Sequence, residues 1–108
     1  MKKLLIAASA LAMFACGSDS GASDVTLYFM PTCPHCHNAI NFIDTELKGV
    51  SVEKIDVTKG GKNLERFNDQ LTKCNFTSRG VPLMVVKGKC LQGFAPEVGE
   101  EVKKILGK

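Results

Sequence analysis

No apolar run in this sequence is long enough to read as a membrane span, and neither sign of charge dominates it. The most hydrophobic stretch, Leu4 to Phe14, falls well short of the about 20 residues a helix needs to cross a bilayer. The net charge is only +3, part of it carried by Lys2 and Lys3, so the rest of the chain is nearly neutral. That removes the electrostatic argument for nucleic acid or any other polyanionic partner. Outside a short Gly/Ser stretch after residue 16 there is no low-complexity segment and no internal repeat, which excludes solenoid and array architectures.

What is present begins with an export signal. Lys2 and Lys3 form a basic start, Leu4 to Phe14 an apolar centre, and small Ala15 precedes Cys16. A cysteine directly after such a run, followed by Gly17-Ser18-Asp19-Ser20-Gly21-Ala22-Ser23, resembles the signal of bacterial lipoproteins. The resemblance implies removal of residues 1–15 and lipidation of Cys16. Met13 and Phe14 replace the Leu and small residue usual there, so ordinary cleavage with a free Cys16 thiol is the alternative. Residues 16–23 cannot bury enough apolar surface to fold and read as a flexible tether. The expected location is the periplasmic side of the cell envelope. Gly17, in place of the Asp that retains many such proteins at the inner membrane, favours the outer membrane. Residues 24–108 remain for one small domain, expected to act as a monomer and near the lower size at which a single core suffices.

The chemistry concentrates in Cys33-Pro34-His35-Cys36. Two cysteines separated by two residues at a helix start form and break one disulfide. The helix N-terminus stabilises a thiolate, which makes Cys33 the expected nucleophile. Pro34 suits the first helical turn, where its missing N–H costs nothing. Cys36 is placed to attack a mixed disulfide and release the substrate, and His35, if protonated, adds a positive charge beside the thiolate. The same stretch also spells Cys-x-x-Cys-His, the attachment signature of c-type haem, through Cys33, Cys36 and His37. Met84 then offers itself as a distal ligand, and zinc or copper on Cys33, Cys36 and a histidine is a further alternative. The flank favours the dithiol. Val25-Thr26-Leu27-Tyr28-Phe29-Met30 alternates and is rich in β-branched and aromatic residues, so a strand runs into the motif. A small c-type cytochrome would be mostly helical.

Downstream, Ala39, Ile40, Ile43 and Leu47 recur at helical spacing, with Phe42 widening the apolar face and Gly49 as the expected stop. Val50 to Val57 reads as a strand whose alternation slips at Glu53-Lys54, as an edge strand or a bulge does. Gly60-Gly61 breaks the chain. Leu64, Phe67 and Leu71 then predict a second amphipathic helix, with Asn63 as its cap and Cys74 at its end. Pro82 heads an apolar strand, Lys87-Gly88-Lys89 turns, and Cys90-Leu91-Gln92 returns as a hairpin that Gly93 ends. Pro96 with Val98, Val102, Ile105 and Leu106 predicts the last helix.

This order, β-α-β-α-β-β-α, resembles the minimal thioredoxin (glutaredoxin-like) fold, an α/β domain with a central mixed four-stranded sheet. Small glutaredoxins are similar in length, in Tyr28-Phe29 leading to Thr32-Cys33-Pro34, and in Cys36-His37-Asn38-Ala39. Pro34-His35 between the cysteines, and Arg79-Gly80-Val81-Pro82 before Met84, resemble instead the DsbA-type thiol oxidases. That resemblance implies a cis Pro82 against the Cys pair and a Val81 backbone that pairs with an extended substrate peptide. There is no room for the helical insertion of DsbA-type enzymes. Met30 stands where glutaredoxins carry a lysine, and Gln92-Gly93-Phe94-Ala95 replaces their Gly-Gly and following acidic residue, so glutathione use is disfavoured. The implied function is an exported thiol-disulfide oxidoreductase whose only redox group is its own disulfide. Its partners would be protein thiols and disulfides, together with a membrane or soluble redox partner.

Cys74 and Cys90 remain. In an oxidising compartment an even remainder favours a structural disulfide. Separate buried thiols, a shuttle pair exchanging with Cys33-Cys36, and intermolecular bonding are the alternatives.

Overall fold

A computed structural model describes residues 23–108; the expected signal segment 1–15, Cys16 and the expected tether up to residue 22 lie outside the described residues. The elements are β1 (Val25–Phe29), α1 (Pro34–Glu46), β2 (Val52–Asp56), α2 (Gly61–Lys73), β3 (Leu83–Val86), β4 (Lys89–Gln92) and α3 (Pro96–Leu106), with a 3₁₀ turn over Val57–Lys59. The four strands form one mixed sheet in the order β2-β1-β3-β4. β1 runs parallel to β2, with Val25 opposite Val52, and antiparallel to β3, with Val25 opposite Val86.

Alternation along β1 decides what each face of the sheet buries. Val25 and Leu27, with Met84 and Val86 of β3, pack against Ala39 and Ile43 of α1, Leu47 just beyond it, and Val102 of α3. Tyr28, with Leu83 and Ile55, faces Phe67 and Leu71 of α2 on the other side. Two helices thus cover one face and one helix the other. Each such fully buried aliphatic side chain contributes about 1.5–3 kcal/mol.

The slip at Glu53-Lys54 has a simple cause, since β2 is an edge strand whose two faces meet different helices. Lys54 pairs with Asp44 of α1 at 3.0 Å, and Glu53 pairs with Arg66 of α2 at 2.8 Å. Both pairs are largely solvated, so they tune the edge more than they stabilise the fold.

Several boundaries differ from the sequence expectation. Helix α1 ends at Glu46, with Leu47 at its C-cap, because Leu47 is drawn into the core; Gly49 sits in the following turn at φ +85°. Strand β2 is shorter than 50–57 because Asp56 Oδ1 accepts from Thr58 N (2.9 Å) and turns the chain into the 3₁₀ segment. Gly60, not Asn63, occupies the N-cap of α2; Asn63 Nδ2 donates to the Asp56 carbonyl at 3.0 Å. The hairpin turns on Lys87 and Gly88 alone, both at positive φ, so β4 opens at Lys89.

Candidate active site

Strand β1 delivers the chain to the Cys motif at the C-terminal end of the sheet, and a turn closes there with Cys33 N donating to Met30 O at 3.1 Å. Cys33 is the N-cap of α1: its backbone is extended (φ −90°, ψ 118°), and its Sγ accepts from Cys36 N at 3.1 Å. The sulfur therefore replaces the oxygen of an ordinary capping residue. Pro34 follows in the first helical turn, where no N–H is needed.

The two sulfurs occupy unlike surroundings. Cys33 is half-buried and Cys36 fully buried, and both are free thiols. Burial pushes the Cys36 thiol up to about 12, assisted by its hydrogen bond with Cys33; a backbone hydrogen bond at Met30 works the other way. His35 is exposed on the first turn of α1. His37, one turn after Cys33, places Nε2 on the Pro31 carbonyl and so ties the helix to the loop that leads into it.

Across from Cys33 lies the loop between α2 and β3. Its Val81–Pro82 peptide is cis, and the Cys33 thiol is 3.8 Å from the Val81 carbonyl that accepts from it. Pro82 is buried. Cys33, Cys36 and the Val81–Pro82 segment, separated by some forty-five residues of sequence, thus meet at one end of the sheet.

Cys74, the C-cap of α2, is bonded to Cys90 of β4 with Cα atoms 5.9 Å apart, a separation ordinary for a disulfide. Both lie on the α2 face, away from α1. Arg79 and Gln92 also hold the loop, in ways the sequence pattern does not reveal. Arg79 Nη1 donates to Asn68 Oδ1 and its guanidinium lies 5.9 Å above the Phe67 ring. Gln92 Nε2 donates to the carbonyls of Ser78 (2.9 Å) and Gly80 (3.0 Å). Contacts between side chains and backbone so far apart in sequence leave no periodic signal.

The haem and metal alternatives do not fit this geometry. Two thioether bonds require both sulfurs to face outward, whereas Cys36 is fully buried. Met84 is packed in the core beneath α1 and α3. His37 is engaged with Pro31, and among the described residues no three His, Cys, Asp or Glu side chains converge as a metal site.

Comparison with known proteins agrees with the fold. The sequence profile of the family described as glutaredoxin matches residues 25–91. No functionally curated protein sequence matches the chain. Among solved structures, a glutaredoxin from Archaeoglobus fulgidus superposes with a TM-score of 0.63 at 26% identity, covering 82% of this chain and 90% of that one. A thioredoxin-like protein superposes with a TM-score of 0.56 at 26% identity, covering 72% and 97%. The glutaredoxin-like NrdH-redoxin from Escherichia coli shares the fold, with a TM-score of 0.54 at 20% identity over 72% and 92% of the two chains.

Proposed function

The chain belongs to the glutaredoxin family of thiol oxidoreductases, and from that premise we propose that it exchanges disulfides with exported polypeptides through Cys33 and Cys36. The observation that carries this reading is the asymmetry of the pair, one sulfur half-exposed at a helix cap and the other fully buried. In the reducing direction the Cys33 thiolate attacks one sulfur of a substrate disulfide. That S–S bond breaks, the departing sulfur takes a proton from solvent, and the other sulfur stays bonded to Cys33. Cys36 then gives up its proton and attacks Cys33 Sγ, which expels the second substrate thiol and closes the Cys33–Cys36 disulfide. The substrate has gained two electrons from the pair and two protons, one taken from solvent and the one that Cys36 released. With a partner of higher or lower potential the same steps run either way.

The Val81 backbone supports a polypeptide substrate, since its carbonyl lies 3.8 Å from the Cys33 sulfur and gives an extended chain that reaches Cys33 a main-chain partner. Glutathione is a poor substrate on this reading. Met30 stands at the position of the expected lysine, and the carboxamide of Gln92, the last residue of β4, is turned onto the protein's own loop. The signal-like residues 1–15 and Cys16 support a domain held on a tether at the periplasmic side of the envelope. Reduction of insulin by dithiothreitol tests the activity. The domain accelerates it and a Cys33→Ser variant does not; equal rates for the two would overturn the proposal.

A further inference from the structure

The loop 74–82 has neither helix nor strand of its own, yet it must hold one carbonyl, that of Val81, against Cys33. Backbone carbonyls in irregular segments need partners supplied from elsewhere. Here they come from the end of β4. Gln92 Nε2 uses its two protons on Ser78 O (2.9 Å) and Gly80 O (3.0 Å), and the next residue, Gly93, donates its N–H to Pro82 O (2.8 Å). The carbonyls on both sides of Val81 are therefore taken by β4, and the Val81 carbonyl is the one left facing the nucleophile. The carboxamide also lies flat against the loop: a Cβ built on Gly80 would touch Gln92 Nε2 at 3.7 Å and Cδ at 3.8 Å.

We propose that Gln92 is a positioning residue for polypeptide substrates, a side-chain extension of the β4 ladder that fixes which way the Val81 backbone faces. This rests on the reading of Cys33 as nucleophile and of Val81 as the backbone that receives the substrate chain. Gln92 touches neither sulfur nor substrate; it acts through the loop. Only a side chain with two N–H donors on one atom makes both bonds. Glutamate, of nearly the same size, offers acceptors alone and sets a carboxylate against two carbonyl oxygens. Leucine keeps the bulk and removes the polarity.

The experiment compares wild type, Gln92→Glu and Gln92→Leu on two substrates, a disulfide-bonded polypeptide such as insulin and a small disulfide that needs no backbone pairing, such as hydroxyethyl disulfide. Loss of hydrogen bonds that act only through substrate positioning raises KM for the polypeptide about tenfold, with kcat less affected. Turnover of the small disulfide stays within about twofold of wild type. Equal losses on both substrates, or no change on either, would overturn the proposal. Should both variants fail to fold, the wild-type protein still decides. Both Nε2 protons of Gln92 are expected to be shifted and slow to exchange in NMR spectra, and free-amide behaviour would count against the clamp. Failure of the underlying reading looks different, as wild type and Cys33→Ser would then be equally inactive on insulin.

Discussion

Two sulfurs three residues apart at one helix start live in opposite surroundings, and that difference divides their work. Cys33 caps the helix with its sulfur half-exposed, whereas Cys36 lies one turn inside it, fully buried and pushed up to about 12. Iodoacetamide at neutral pH is accordingly expected to modify Cys33 and spare Cys36 in the folded, reduced protein, read by peptide mass spectrometry. Equal labelling would contradict the burial. The same shift carries a stability consequence. An unfolded cysteine loses its proton near pH 8.5, but folded Cys36 keeps it to about pH 12, so above pH 8.5 the native state binds more protons than the unfolded one. The contribution of Cys36 is fully present below that pH and declines as pH rises through the window. Reduced wild type should therefore lose stability between about pH 8.5 and 12 more steeply than Cys36→Ala, as measured by urea unfolding. Parallel pH profiles for the two proteins would show that Cys36 titrates normally.

At the scale of elements, the loop before β3 is fastened from both ends. The Cys74–Cys90 bond ties the end of α2 to β4 with a sequence separation of 16, and Arg79 rests on α2 through Asn68 and Phe67. Closing a loop of that size contributes about 3 kcal/mol in the chain-entropy model. In a domain this small, the double variant Cys74→Ser/Cys90→Ser is expected to melt roughly 10–20 °C lower while its reaction with a small disulfide persists. A double variant that melts like the parent but stops turning over would make the bond a redox shuttle for Cys33 and Cys36. Thiol counting after mild reduction gives an independent measure, since a staple opens later than the active pair.

At the scale of the whole molecule, the redox centre lies at one end of the sheet, where β1 delivers Cys33 and the loop before β3 delivers Pro82. Residues 16–23, upstream of β1 and rich in Gly and Ser, are the tether of the proposed anchor. Mass spectrometry of the mature N-terminus is expected to find Cys16 first and acylated. An unmodified residue at that terminus would remove the anchor from the proposal and leave the domain's chemistry untouched.

By itself, the sequence determined the type and order of every element, because buried faces repeat with the period of the element that carries them. Val25, Leu27 and Tyr28 alternate, Phe67 and Leu71 recur at helical spacing, and Pro34 and Pro96 mark helix starts. The place of Cys33 at a helix start was legible for a similar reason, as a cysteine followed by proline in the cap position has a local signature. Element ends were less legible: Leu47 left its helix to fill the core, and Gly60 replaced Asn63 at the cap of α2. Only the tertiary structure decided how fully Cys36 is buried, that Cys74 and Cys90 lie within bonding reach, and that Gln92 grips Ser78 and Gly80. These depend on how helices and strands pack across the sheet. Contacts between residues a dozen or more positions apart are fixed by that packing, and no periodicity along the chain records them.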